Sequence, residues 1–200
     1  MRRTPEDAAR TRQAILAAAL ESFADRGWDA TSFVGVGSRA GVTRGAVHHY
    51  FPDKEALLSA ALSESWDDAV GPLLHDLADT TRDGATRLVG FLSSYALGLA
   101  TDERFRRLAV VSTVVAPQAV RLSDGLAAKQ ASMSAWESAF REVLDGVRLR
   151  PGVSADAAVL ALTTAIHGLT VMAASQRALL PTEPDAATAL ATACIRGAVV

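Results

Sequence analysis

Residues 31–54 read TSFVGVGSRAGVTRGAVHHYFPDK, and the break at Ala40-Gly41-Val42-Thr43 decides how the surrounding chain folds. Thr31 or Ser32 caps a helix over about 32–40, and Thr43 caps a second over about 43–50, because a hydroxyl accepts from the N–H groups that a helix start leaves unpaired. Two short helices joined by a glycine-containing turn form the module that lays its second helix in the DNA major groove. Upstream, Thr4-Pro5-Glu6-Asp7 is a helix start with a capping hydroxyl, proline at the first position and acids in the first turn. Ile15, Ala19 and Phe23 then recur every four residues beside Leu16 and Leu20. That pattern is an amphipathic helix to Asp25, stopped by Gly27, with Trp28 tucked back as an apolar plug. Downstream, Asp53 follows Pro52 and caps a longer helix to about Leu74.

Past Leu74 the periodicity predicts helices near 82–100, 102–115, 118–147, 154–178 and 184–198. They are separated by caps, prolines or glycines at Thr80-Thr81, Thr101-Asp102, Ala116-Pro117, Pro151-Gly152 and Pro181 to Pro184. The expected fold is all-α with about nine helices. Residues 1–54 form a three-helix DNA-binding domain and residues 55–200 a helical ligand-binding and dimerisation domain, joined by a continuous helix.

Half of the 200 residues are hydrophobic, enough for a core without disulfides or metals. The net charge is −2, unevenly spread: residues 1–54 hold eight Lys and Arg against six Asp and Glu, the remainder twelve against sixteen. That polarity suits an N-terminal nucleic-acid surface but is small. Cys194 is the single cysteine, and the N-terminal residues are too polar for a signal peptide, so a cytoplasmic setting is expected. Residues 157–175 carry no Asp, Glu, Lys or Arg and reach membrane-spanning length. Their threonines, His167, Gly168 and many small residues fit an oligomer interface better than a bilayer, and no membrane association is expected.

In the second helix of the module, Val42, Val47 and Phe51 have core spacing, which leaves Thr43, Arg44, Gly45, Ala46, His49 and Tyr50 outward. Arg44 sits at the end that reaches base edges and pairs well with guanine O6 and N7. Gly45 and Ala46 permit close backbone approach, and Ala46 can meet a thymine methyl. His48, His49 and Tyr50, with Lys54 at the next helix start and Thr31 and Ser32 at the previous one, are candidate phosphate contacts. Neighbouring His48 and His49 point about 100° apart and do not converge on a metal. One such module reads too few bases for selectivity, so a homodimer on a palindrome is expected. Helices near 157–175 and 184–198 are its best surface.

Residues about 10–58 resemble the N-terminal domain of the TetR family of regulators. The resemblance rests on Ile15-Leu16 through Phe23, Gly27-Trp28, Thr31-Ser32, Ala40-Gly41-Val42-Thr43-Arg44-Gly45, Phe51, Asp53-Lys54-Glu55 and Leu57. Two places depart from the family pattern. Val36-Gly37, with Gly35 before it, stands where the family usually has Ile-Ala. Val47-His48-His49-Tyr50-Phe51 replaces a more aromatic run, so that His48 takes the place of a phosphate-contacting tyrosine. Two glycines inside a helix cost about 1 kcal/mol each relative to alanine, which predicts a second helix that is frayed or unusually placed.

The resemblance implies a small-molecule cavity among the middle helices. Trp66, Phe91, Tyr95, Leu99, Phe105, Met133, Trp136, Phe140, His167, Thr170 and Met172 suit its lining, and equally suit an ordinary core. It also implies a repressor, released from its palindromic operator when a small apolar or aromatic effector shifts the spacing of the two reading helices, with the helix near 54–74 as lever. No nucleophile–base pair, carboxylate pair or phosphate loop stands at telling spacing, so neither an enzyme nor a cofactor is expected. The alternative is a helical ligand-binding or scaffold protein with a degenerate DNA-binding module.

Overall fold

The computed structural model describes residues 4–119 and 126–200, with side chains at all of these except 67 and 126–135. Ten α-helices account for most of it: α1 Pro5–Ala30, α2 Phe33–Ala40, α3 Arg44–Tyr50, α4 Lys54–Ala78, α5 Gly84–Thr101, α6 Glu103–Val110, α7 Ala116–Ala119, α8 Leu126–Asp145, α9 Ala155–Ser175 and α10 Pro184–Arg196. Among the described residues there is no strand, only an isolated antiparallel bridge between Leu149 and Val199. The chain groups into two compact units, Met1–Asp67 with Arg107–Leu122, and Asp68–Arg106 with Ser123–Val200. The unit boundaries therefore fall inside α4 and inside α6.

In the first unit, Thr4 closes a capping box with Asp7 at the start of α1. Gly27 takes φ 74°, outside the helical region, and turns the chain so that Trp28 buries itself with its ring stacked 5.8 Å from Phe23. Ser32, Thr43 and Asp53 accept from the backbone N–H groups of Gly35, Ala46 and Ala56 at 3.2, 3.2 and 2.8 Å, which starts α2, α3 and α4 where the sequence predicts. Gly41 ends α2 at φ 70°, a left-handed conformation that a side chain resists. Ile15, Ala19, Phe23, Val36, Val47 and Leu57 are fully buried and form the core.

α2 is a complete helix over Phe33–Ala40 rather than a frayed one, and its two glycines differ in kind. A Cβ on Gly37 would lie 2.9 Å from the Val42 carbonyl oxygen and 3.3 Å from the Thr43 carbonyl carbon. The turn thus presses directly on α2, and only glycine leaves the space. A Cβ on Gly35 would make ordinary contacts, 3.5 Å to Ser32 Oγ and 3.7 Å to Arg26 Nη1. Gly35→Ala is therefore expected to stabilise the protein by up to about 1 kcal/mol through helix propensity. Gly37→Ala is expected to destabilise it by about 1 kcal/mol net, because overpacking against backbone exceeds that gain. Urea midpoints moving in the same direction for both variants would contradict this.

The expected break at Ala116-Pro117 is absent. From Glu103 to Ala119 the chain stays helical, widened over Val111–Val115 into a π-turn in which the Ala116 N–H reaches back to the Val111 carbonyl. Pro117 is the physical cause, since its ring would strike the carbonyl four residues back in an ordinary α-helix. The Gln118 side-chain amide donates to the Val114 carbonyl at 3.1 Å and recovers part of the disturbed ladder. Residues 111–119 pack on α1 with Val111, Val115 and Ala119 buried.

In the second unit α5 packs on α8, α9 and α10. Its start approaches the end of α8 so closely that a Cβ on Gly84 would lie 2.2 Å from Val147 Cγ2. α9 is long and apolar enough to pass a membrane-span test, with a mean hydropathy of 1.7. It packs on α5 and α8 through Ala158, Leu162, Ile166, Leu169, Thr170 and Ala173, as a core helix does, while its other side is open.

Candidate nucleic-acid interface and effector region

The face of α3 follows from its caps and its two buried anchors. Val47 and Phe51 are buried, whereas Val42, assigned to the core by its spacing, is half-buried. Val42 instead lines an open groove with Gly37, Ser38, Thr43 and Ala46 along the turn. Thr43, Arg44, Gly45, His48 and His49 are exposed, and Ala46 is half-exposed. Arg44 has no hydrogen-bond or ion-pair partner among the described residues, so its guanidinium is available for a base edge. A Cβ on Gly45 would meet nothing nearer than Thr43 Oγ1 at 3.8 Å, so packing within the protein does not require glycine there. Ser32 and Thr43 accept as caps and keep their hydroxyl protons to donate. His48 stays exposed with its ring edge-on to Phe33 at 4.5 Å, and His49 lies against Tyr50 at 5.3 Å.

Three of the expected phosphate contacts have hydrogen-bond partners within the protein. Thr31 is 3% exposed, and its hydroxyl lies against the carbonyls of Ser22 and Gly27 at 3.0 and 2.8 Å, tying the end of α1. Lys54 turns inward, donating to the Trp28 and Thr31 carbonyls at 2.7 and 3.2 Å with its ammonium 4.3 Å above the Trp28 ring. It neutralises the carbonyl end of α1 and is not presented outward. The Tyr50 hydroxyl donates to the Ala8 carbonyl at 3.1 Å, which braces α3 on α1.

Sequence reasoning missed the charged frame behind this face. Arg12 pairs with the Glu64 carboxylate and lies over the Phe51 ring at 5.4 Å. Arg39, in the last turn of α2, pairs with Asp25 at 2.8 Å and Glu21 at 3.2 Å, and these carboxylates hold its pKa above the usual arginine value.

In the second unit, Phe91, Tyr95, Phe105, Trp136 and Phe140 form one aromatic cluster with ring centroids 5.2–6.4 Å apart, mostly edge to face. Leu99 on α5 is fully buried. Tyr95, 2% exposed, donates to Thr170 Oγ1 at 2.7 Å, and Thr170 donates on to the Ile166 carbonyl at 2.9 Å. Trp66 belongs to the first unit. The Met133 side chain lies outside the described residues. His167 and Met172 are half-buried on α9, with His167 Nδ1 2.8 Å from the Thr163 carbonyl. A separate small apolar cleft in this unit, lined by Leu88, Leu144, Leu162 and Cys194 among others, contains none of the eleven expected lining residues.

Burial pushes the Tyr95 hydroxyl up to about 12, against the smaller opposing effect of its bond to Thr170. The folded state thus favours the protonated phenol. Its stabilisation is complete below the unfolded value near 10 and is lost as pH rises towards 12. Alkaline unfolding should therefore lose about 2–3 kcal/mol across that window, and Tyr95→Phe should flatten that part of the stability curve. An unchanged profile in the variant would assign the loss to other groups.

An exposed helix-turn-helix face of this kind is the geometry of a DNA-binding module. Residues 15–61 match the family of bacterial regulatory proteins, tetR family. The chain is 48% identical over 54 residues to the transcriptional repressor BepR of Brucella suis biovar 1, covering 27% of this chain and 26% of that protein. It is 46% identical over 66 residues to the transcriptional regulator AcrR of Shigella flexneri, covering 32% and 31%. These matches thus span about a quarter to a third of each relative's length. Over nearly the whole chain the fold is similar to that of NalD of Pseudomonas aeruginosa, described as the secondary repressor of the MexAB-OprM multidrug efflux pump. There the TM-score is 0.74 at 26% identity, covering 96% of this chain and 98% of NalD. Residues 15–61 thus match the N-terminal domain of the tetR family, and the fold of nearly the whole chain is similar to that of NalD.

Proposed function

We propose that the protein is a transcriptional repressor that binds a palindromic operator as a homodimer and is released by a small, uncharged, apolar or aromatic effector. The observation that carries this reading is Arg44: an unpartnered guanidinium at the start of an exposed helix, beside Gly45 and Ala46, which keep the approach to a groove floor clear. Thr43, Ser32, His48 and His49 stand around it as phosphate donors.

Dimerisation is supported by the outer side of α9. Leu160 is 67% exposed and Val171 50%, with Ala161, Thr164 and Gly168 exposed between them, Ala157 exposed one turn before, and no charged side chain in that row. Such a surface marks an interface. An aromatic effector is supported by the five-ring cluster, whose Tyr95–Thr170 pair offers a neutral hydrogen-bonding group. NalD and SmeT are described as repressors of multidrug efflux pumps, which favours a transporter gene as target. The protein acts in the cytoplasm and performs no catalysis.

The test is a gel-shift titration on the DNA upstream of the chain's own gene and of its neighbours, repeated at several salt concentrations. Specific binding should weaken steeply with salt as phosphate counterions are released. Equal affinity for operator and scrambled DNA at every salt concentration would overturn the reading.

A further inference from the structure

In the first unit, Arg10, Arg12, Arg39 and Arg107 pair with carboxylates, and Lys54 donates to carbonyls. Among the lysines and arginines described there, Arg26 and Arg44 alone have neither an ion pair nor a hydrogen bond. Arg44 is the candidate for a base edge. Arg26 lies near the end of α1, and two features of the local chain leave it free. Its neighbour Asp25 is taken by Arg39 at 2.8 Å. Asp29, three residues on, would share its side of an unbroken helix, but Gly27 at φ 74° turns the chain between them.

Gly35 marks where Arg26 reaches. A Cβ there would stand 3.7 Å from Arg26 Nη1 and 3.5 Å from Ser32 Oγ. The guanidinium and the hydroxyl thus flank one bare point on the first turn of α2, and both residues are exposed. That turn carries no acidic residue to compete for the arginine. Ser32 accepts from the Gly35 N–H at 3.2 Å and keeps its own proton to donate. Two donors this close fit the oxygens of a single phosphate, and arginine and serine are both usual donors to one. We propose that Arg26 and Ser32 clamp one phosphate of the operator backbone over Gly35, a contact that seats the start of α2 on the strand and reads no base. Gly35 weakens α2 as a helix but leaves the floor of the clamp without a side chain. The clamp rests on reading the protein as a DNA-binding regulator and extends its DNA surface to the end of α1.

The test is affinity against salt concentration for full-length wild type, Arg26→Gln, Arg26→Lys and Ser32→Asp, on operator and on unrelated DNA. Each phosphate contact contributes about 0.9 to the slope of log affinity on log salt, and a dimer makes the contact twice. Arg26→Gln should therefore flatten the slope by about two. It should weaken binding about ten- to a hundredfold at about 0.1 M salt, by the same factor on both DNAs. Arg26→Lys should keep the wild-type slope, because the charge remains. Ser32→Asp still caps α2 but sets a like charge against the phosphate, and should weaken binding at least as much. Unfolding midpoints of Arg26→Gln and Ser32→Asp no lower than wild type would separate a lost contact from a lost fold. An unchanged slope in Arg26→Gln, full affinity in Ser32→Asp, or a loss confined to operator would overturn the clamp while wild-type binding stood. A wild type that bound neither DNA in a salt-dependent way would instead overturn the DNA-binding reading, and the clamp with it.

Discussion

Arg44→Ala is expected to lower operator affinity by about 1–3 kcal/mol, roughly ten- to a hundredfold, because a guanidinium that pairs bidentately with guanine is lost. Binding to unrelated DNA should change much less, so the ratio of specific to non-specific affinity is the quantity to measure. Folding should change little, since Arg44 is exposed and its side chain makes no hydrogen bond or ion pair among the described residues. Arg44→Lys should recover part of the phosphate attraction without the fork geometry, and hence little of the sequence preference. If alanine weakened every sequence equally, Arg44 would be a phosphate contact and the base-reading role would pass to other residues of the same helix.

The second large effect concerns α9. Leu160→Asp combined with Val171→Asp would bury unpaired charges in a self-complementary interface, twice over by symmetry. The expected outcome is a monomer by light scattering and a loss of operator affinity on the order of a hundredfold or more, while the helical content persists. Both side chains are already half or more exposed within one chain, so little intrachain packing is lost. A variant that remained dimeric with full affinity would place the twofold contact elsewhere.

What was legible in the sequence is what depends on neighbours along the chain. Thr4, Ser32, Thr43 and Asp53 cap helices through bonds spanning three residues, and Gly27 and Gly41 turn the backbone where they stand. The contacts that the sequence did not reveal join residues far apart along it. Lys54 reaches Trp28 across 26 positions and Tyr50 reaches Ala8 across 42. Periodicity told which side of a helix faces outward, but not that a carbonyl stood opposite to take the proton. Gly37 is the same lesson from the packing side: its cost in propensity is visible in sequence, whereas the backbone pressed against it is not. The aromatic cluster was readable as apolar residues on several helices, but which of them meet depends on how α5, α6 and α8 pack.

The close contact at Gly37 has a consequence for how such a reader diversifies. The crossing of α2 and α3 is set by main-chain atoms meeting main-chain atoms, the Arg44 nitrogen among them, while the side chains at positions 44 and 49 and the open Cα of Gly45 are exposed. Recognition and scaffold are thus written in different positions, and a library randomised at those three sites should yield folded proteins with new operator preferences far more often than one that touches position 37.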